Sequence, residues 1–221
     1  MSLIDSLIRE GWLKTLKIIE AFKEIKRIDF LPEDMKDLAE LNEALPIGYG
    51  QTISQPLVVA FMLELLQPKE GEKILDIGSG SGWTSALLAH IVSQEGIPNS
   101  QFPIPKNKGK IIAIEIIPEL KEFGERNVAK YNFIEKGIVK FILTDGSKGY
   151  KKEAPFDKIL ASASAEKIPS VWKEQLRIGG RIVTPIGSSI WLFEKKSEEE
   201  FKSTEYPGFA FVPLISKDEE K

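Results

Sequence analysis

The alternation of apolar strands and helices that begins near residue 72 constrains the fold of this chain more than any other feature. The runs "KILDI", "KIIAIEI", "VKFILT" and "FDKILASA" are continuously apolar, and helices are predicted at 83–92, 118–131 and 169–176. Strands of this kind lie in a mostly parallel sheet that helices cover on both faces. Two later runs, "GRIVTPIG" and "SIWLFEK", are close enough to form a hairpin, which predicts an antiparallel C-terminal edge.

An N-terminal helical extension is predicted to precede this α/β core. Apolar residues recur at helical spacing through residues 3–27, with a break expected near Gly11, and a further helix is predicted over 57–66. We therefore divide the single domain into two parts. Residues 1–56 form the extension and the loop that follows it, and residues 57–221 form the core.

The amino-acid composition argues against several classes of function. The 221 residues include 30 basic and 33 acidic ones, and the net charge of −3 gives no electrostatic case for binding nucleic acid or an anionic membrane. There is no cysteine and one histidine, His90, which argues against disulfides, thiolate metal sites, cysteine nucleophiles and a Ser-His-Asp triad. No apolar run approaches the ~20 residues of a spanning helix, and the N-terminus lacks the pattern of a signal peptide. A cytoplasmic monomer is predicted.

A glycine-rich turn between the first strand and its helix is the first candidate for a ligand site. In "LDIGSGSGW", Gly78, Gly80 and Gly82 follow the strand directly, with Ser79 between the first two. Glycine permits the tight turn and lets a ligand approach the backbone at the N-terminus of the next helix. A dinucleotide fingerprint would place its last glycine one position later, where this chain has Trp83. The alternative interpretation is a tight strand–helix turn that binds nothing.

Acidic residues at the ends of the next two strands support the ligand interpretation. Glu115 ends "IIAIE", where a carboxylate can accept hydrogen bonds from both ribose hydroxyls of an adenosine-containing ligand. Its offset from Gly82 exceeds the usual ~20 residues, which an inserted surface loop at 93–108 explains. Asp145 and Gly146 follow the next strand, where an aspartate can accept from an adenine amino group and glycine admits the base. The alternatives are a solvated glutamate and an ordinary Asp-Gly turn.

Taken together, these motifs resemble the protein-L-isoaspartate O-methyltransferase family. "LDIGSGSGW" resembles the first motif of that family, "AIEIIPEL" its ribose-binding strand and "TDGSKGY" its Asp-Gly-x-x-Gly-aromatic motif. The most distinctive match is "PIGYGQTIS", which resembles the family's Thr-Ile-Ser loop and the Pro-Ile-Gly-x-Gly-Gln segment before it. The resemblance extends over residues 27–215. It implies a Rossmann-like, doubly wound fold and S-adenosyl-L-methionine as the cofactor.

The resemblance also implies roles for individual residues. In the family the Thr-Ile-Ser loop closes over cofactor and substrate, which implies that Ser54 is the active-site serine, with Thr52 and Ile53 in the substrate loop. The alternative is that Ser54 only caps the helix that follows. The family usually has a histidine after the proline of this loop, whereas this chain has Leu57, which we expect to make the substrate-side wall more apolar. The cofactor-binding residues implied are Gly78, Ser79, Gly80, Gly82, Glu115, Asp145 and Gly146.

The activity implied by the resemblance is methylation of the α-carboxyl group of L-isoaspartyl residues in damaged proteins and peptides, which starts their repair through a succinimide. The residue content agrees, because a carboxylate with a pKa of ~3.9 is already ionised at pH 7 and needs no histidine or cysteine as a base. The protein must instead align the reacting atoms and exclude water. Two alternatives stay open. One is a paralogue that methylates another carboxylate or a modified peptide, and the other is a non-catalytic module that binds the cofactor or damaged proteins.

Overall fold

The computed structural model describes residues 2–93 and 109–216, which fold around a seven-stranded sheet. The helices are α1 (Leu3–Arg9), α2 (Leu16–Glu24), α3 (Pro56–Leu66), α4 (Trp83–Val92), α5 (Pro118–Ala129) and α6 (Ser170–Gln175). A separate hairpin contains β1 (Leu45–Gly48) and β2 (Gln51–Ile53). The strands of the main sheet are β3 (Lys73–Ile77), β4 (Lys110–Glu115), β5 (Val139–Leu143), β6 (Phe156–Ala161), β7 (Leu176–Ile186), β8 (Ser189–Lys195) and β9 (Phe201–Pro207).

The order of strands in the main sheet is β5-β4-β3-β6-β7-β8-β9. The five strands from β5 to β7 are parallel, and β8 and β9 extend the sheet with antiparallel pairing. This confirms the predicted Rossmann-like, mostly parallel sheet with an antiparallel C-terminal edge. The chain order reverses beside β3, since β4 lies on one side of it and β6 on the other. A crevice for ligands is expected outside the carboxyl ends of strands at such a switch point.

Apolar side chains fill both faces of the sheet, as continuous apolar strands predict. Ile74 of β3 and Ile111 of β4 lie in one buried cluster, which also contains residues of α2, α3, α4 and α5. The next residues along each strand, Leu75 and Ile112, lie in a second cluster with Trp172 of α6. Neighbouring residues therefore pack on opposite faces, as the pleat of a strand requires.

The N-terminal helices are broken where the sequence predicts a break. The chain turns at Gly11, whose φ of +77° favours glycine, so that α1 and α2 are separate helices. The division of the domain at residue 56 stays a prediction. Most of the insertion predicted at 93–108 lies outside the described residues, since only Ser93 belongs to them. Among the helices that the structure describes, none is both long and apolar enough to cross a membrane.

One local expectation was wrong, and one strand was missed. The stretch "LPIGYGQTI" was expected to be a loop, but it forms the β1–β2 hairpin, in which Leu45 pairs with Ile53. Its two-residue turn has positive φ at both Tyr49 (+56°) and Gly50 (+69°), as a tight hairpin of type I′ requires. Strand β9, with the polar sequence "FKSTEYP", was not predicted, because only its pairing with β8 makes it a strand.

Candidate active site

A cleft opens at the carboxyl ends of β3, β4 and β6, under the β1–β2 hairpin. It has an empty volume of about 730 Å³, part of it open to solvent. It brings together four stretches that are far apart in the chain: the end of the hairpin, the glycine-rich turn, the end of β4 and the start of the loop after β5. The candidate residues that line it are Thr52, Ile53, Ser54, Gly78, Ser79, Gly80, Glu115 and Gly146.

Glu115 holds the glycine-rich turn in place. One carboxylate oxygen, Oε2, accepts a hydrogen bond from the backbone N–H of Gly80 at 2.9 Å. The other, Oε1, accepts from the backbone N–H groups of Ile116 (2.8 Å) and Ile117 (3.0 Å). The residue is 5% exposed, so the interpretation as a solvated strand-end glutamate is wrong. A carboxylate has about four acceptor sites, which leaves capacity for a ligand.

Glycine is required at these positions of the turn for two different structural reasons. Gly78 (φ +72°) and Gly80 (φ +50°) line the cleft, and a Cβ on Gly80 would lie 3.3 Å from Ile47 of the hairpin. Gly82 (φ +83°) does not line the cleft, and a Cβ there would lie 2.7 Å from the backbone oxygen of Gly124 in α5. The prediction that Gly82 binds the cofactor is therefore not supported. Close packing of α4 against α5 explains this glycine instead.

The Asp145–Gly146 turn contributes its glycine to the cleft. A Cβ on Gly146 would lie 2.4 Å from Cγ2 of Ile77, so only glycine fits between β3 and the cleft. The carboxylate of Asp145 is buried and lies outside the cleft lining. Its Oδ1 accepts from the N–H (2.9 Å) and the hydroxyl (2.7 Å) of Ser147, as in an ordinary Asp-Gly turn. A contact from Asp145 to an adenine stays a prediction.

Ser54 lies between the cleft and a second cavity. That cavity, with an empty volume of about 920 Å³, shares four residues with the cleft: Thr52, Ser54, Ser162 and Val212. Within the described part of the chain, the Ser54 hydroxyl has no hydrogen-bond partner. The interpretation of Ser54 as a helix cap is wrong, because Gln55 is the N-cap residue of α3.

The second cavity is uncharged, but Leu57 is not the reason. Its lining includes Ala44, Val58, Phe209 and Phe211, and none of its described lining residues has a charged side chain. Leu57 lines neither this cavity nor the cleft and packs against the main apolar cluster. The expectation that Leu57 forms a substrate-side wall is therefore wrong, because its side chain lies elsewhere.

Two parts of the site were missed by reasoning from the sequence. Ser162 follows β6 at the carboxyl edge of the sheet, so the same strand-end argument that selected Glu115 would have found it. The segment 212–215 lines the cleft from the far end of the chain. It is held by hydrogen bonds from Ser164 N–H to Val212 and from Leu214 N–H to Ser164, both 2.8 Å, which no local pattern predicts.

Unpaired buried polar atoms cluster at this cleft and fit a polar ligand. Among the described residues, five buried side-chain polar atoms lack a hydrogen-bond partner. Two of them, Oγ of Ser79 and Nε1 of Trp83, belong to residues that line the cleft. Because such atoms are rare in folded proteins, their concentration here indicates a binding site. No cluster of three or more metal-ligating side chains occurs in residues 2–93 and 109–216.

Asp76 is expected to make stability depend on pH near neutrality. Burial raises the pKa of Asp76 from 3.8 to about 7, opposed by the hydrogen bond from Ser85 and reinforced by Glu115. Between these values the folded protein keeps a proton that the unfolded chain has lost. The free energy of unfolding should therefore fall as pH rises, by at most ~1.4 kcal/mol per pH unit from this group. Urea unfolding from pH 4 to 8 should show this slope in the wild type and lose it in Asp76→Asn. Equal slopes in both proteins would contradict the assignment.

Sequence comparisons find a family that covers the whole described chain. A sequence profile of the family Protein-L-isoaspartate(D-aspartate) O-methyltransferase matches residues 1–219. The chain is 39% identical over 220 residues to the Protein-L-isoaspartate O-methyltransferase of Methanopyrus kandleri, covering 98% of this chain and 91% of that protein. It is 41% identical over 219 residues to the protein of the same name from Pyrococcus abyssi, covering 97% and 93%.

Solved structures show the same fold. One with the name protein-L-isoaspartate O-methyltransferase superposes with a TM-score of 0.82 at 25% identity, over 97% of this chain and 65% of that one. A Plasmodium falciparum protein given the same family name, in complex with S-adenosyl-L-homocysteine, superposes with a TM-score of 0.80 at 21% identity, over 96% of both chains.

Proposed function

This chain belongs to the protein-L-isoaspartate(D-aspartate) O-methyltransferase family, and we propose that its two adjoining cavities hold the cofactor and the substrate on either side of Ser54. The enzyme transfers a methyl group from S-adenosyl-L-methionine to the α-carboxyl group of L-isoaspartyl residues in damaged proteins and peptides. The methyl ester is a better leaving group than the carboxylate, so the chain can close to a succinimide that hydrolyses partly to normal aspartate.

The observation that carries the assignment of the cavities is that they meet at Ser54. Both the cleft and the second cavity include Thr52 and Ser54 in their lining. A methyl transfer needs donor and acceptor atoms in contact, so the two ligands must meet at such a junction. The glycine-rich turn and Glu115 lie on the cleft side only, which supports assigning the cofactor to the cleft and the peptide to the second cavity.

On the cofactor side, the chain supplies a polar cradle. S-adenosyl-L-methionine, when bound, supplies a methyl group made electrophilic by its sulfonium. We assign a ribose hydroxyl to the acceptor site that remains on Oε2 of Glu115. The ligand approaches the backbone closely at Gly78, Gly80 and Gly146. Ser79 offers its unpartnered hydroxyl. Asp145 does not line the cleft, but its hydrogen bond from the N–H of Ser147 fixes the turn that contains Gly146.

On the substrate side, the chain needs to orient a carboxylate rather than to activate it. The carboxylate is ionised at neutral pH, so no general base is required. The unpartnered hydroxyl of Ser54 can donate one hydrogen bond to it, and Thr52 stands beside it in the shared lining. The uncharged second cavity suits apolar residues that flank the isoaspartyl residue better than acidic ones.

Ser54→Ala should lower kcat/KM for an isoaspartyl peptide by roughly 10–100-fold while leaving cofactor affinity within about twofold. This is the expected cost of removing one orienting hydrogen bond to a charged group. Steady-state kinetics and calorimetry on the same preparation test the prediction.

The matched control is Ser203→Ala, which removes an exposed hydroxyl on β9, away from both cavities. It should leave kinetics and affinity unchanged. Normal turnover by Ser54→Ala would remove Ser54 from the reaction, and a large loss of cofactor affinity would move Ser54 to the cofactor side.

A further inference from the structure

The helix that follows Ser54 is capped by a side chain from another part of the chain. Helix α3 begins at Pro56, and its N-cap residue Gln55 makes no side-chain capping bond. The backbone N–H of Leu57 instead donates to Oδ1 of Asn42 at 2.9 Å. In return, Nε2 of Gln55 donates to the backbone oxygen of Asn42 at 2.8 Å. Asn42 is therefore hydrogen-bonded to Gln55 and Leu57, the residues on either side of Pro56.

Arg27 holds the segment around Asn42 through hydrogen bonds to its backbone. Its guanidinium is buried and donates to three carbonyl oxygens, those of Ala39 (3.1 Å), Leu41 (2.9 Å) and Glu43 (2.7 Å). A fourth, longer contact at 3.4 Å reaches the carbonyl oxygen of Ser54 itself. One side chain thus links the segment that carries Asn42 to the backbone of the active-site serine.

The same guanidinium reaches the wall of the cofactor cleft. It lies 5.5 Å from the centre of the Trp83 ring, in the geometry of a cation–π contact, and Trp83 lines the cleft. Burial lowers the pKa of Arg27 to about 10, so it is charged at neutral pH and keeps its donors. The segment 39–43, the Ser54 backbone and the cleft wall are therefore fixed relative to one another.

We propose that Asn42 is a positioning residue for Ser54, acting through the start of α3, with Arg27 fixing the segment that carries it. This rests on the proposed role of Ser54 in orienting the substrate. Within the described residues no side chain fixes the Ser54 hydroxyl, so its position follows from the backbone on either side of it. A displacement of ~1 Å can cost about 100-fold in rate, which makes this support important for catalysis.

A double-mutant cycle with Ser54 tests the proposal. Asn42→Ala should lower kcat for an isoaspartyl peptide about 10-fold while the cofactor dissociation constant stays within about twofold. If Asn42 acts through the Ser54 hydroxyl, the double variant Asn42→Ala/Ser54→Ala should be no slower than Ser54→Ala alone. A role in stability alone would not produce this loss of additivity.

Two further variants separate positioning from stability. Asn42→Asp keeps an oxygen that can accept from Leu57 and should restore kcat to near the wild-type value. Ser2→Ala removes another N-terminal cap, the acceptor for the N–H of Asp5 in α1. It should lower the melting temperature by about 2–4 °C, as Asn42→Ala does, without changing kcat. Should Asn42→Ala fail to fold, Asn42→Ser, with a shorter side chain, takes its place in the cycle.

Additive effects of Asn42→Ala and Ser54→Ala on kcat would overturn the proposal and leave the function of Ser54 intact. Wild-type turnover by Asn42→Ala would overturn it as well. The proposed role of Ser54 fails separately, if Ser54→Ala turns over the peptide normally, and the positioning role of Asn42 then fails with it. The proposed function itself fails only if the wild-type enzyme does not methylate the isoaspartyl peptide.

Discussion

Glu115→Ala is expected to weaken the binding of S-adenosyl-L-methionine by about 10-fold or more. A hydrogen bond from a ribose hydroxyl to a buried carboxylate contributes ~1.5–3 kcal/mol, so losing it costs roughly 10–100-fold in affinity. The same carboxylate also holds the N–H of Gly80 at 2.9 Å, so the variant loosens the turn that the ligand approaches. Both effects act in the same direction.

Calorimetric titration of the ligand into the folded variant measures this loss, with an unfolding curve to establish that the variant is folded. The matched control is Glu119→Ala, which removes an exposed carboxylate from the first turn of α5, four residues along the chain. Its affinity should stay within about twofold of the wild-type value. Unchanged affinity in folded Glu115→Ala would remove this residue from the cofactor site.

The strand ends are the part of the site that the sequence could predict. Continuous apolar runs fix a parallel sheet, and the carboxyl ends of its strands must lie at one edge, which brings Gly78, Glu115 and Gly146 together. Only the period of the apolar pattern and the direction of the strands are needed to predict that these residues lie together. It succeeds because both are set locally, before any long-range contact is known.

Long-range contacts explain what the sequence could not show. Gly82 resembles part of a ligand loop, but its close packing against Gly124 of another helix already explains why a glycine stands there. Leu57 lies shortly after the β1–β2 hairpin in the chain, yet the direction of α3 turns it into the apolar cluster. The capping of α3 by Asn42 joins positions 15 residues apart, and no helix start signal reveals it. Each of these depends on packing between elements rather than on a local pattern.

Discrimination between isoaspartyl and aspartyl peptides is the second large effect expected. An isoaspartyl residue routes the backbone through its side chain and leaves the α-carboxylate free, whereas an aspartyl residue offers a carboxylate one methylene further from the main chain. Ser54 lies in the lining shared by both cavities, so a peptide bound in the second cavity, as we propose, must bring its carboxylate to this junction to meet the methyl group. Because a displacement of ~1 Å costs about 100-fold, we expect at least that ratio in kcat/KM.

Methyl transfer from radiolabelled S-adenosyl-L-methionine to two versions of one peptide, isoaspartyl and aspartyl, separates the repair activity from its alternatives. We expect stoichiometric, base-labile labelling of the isoaspartyl peptide and labelling of the aspartyl one that is slower by about 100-fold or more. Equal rates on the two peptides would contradict the assignment of the junction at Ser54 as a geometric filter. Tight cofactor binding with no methylation of either peptide would contradict the repair activity itself and favour a paralogue with another substrate or a non-catalytic binding module.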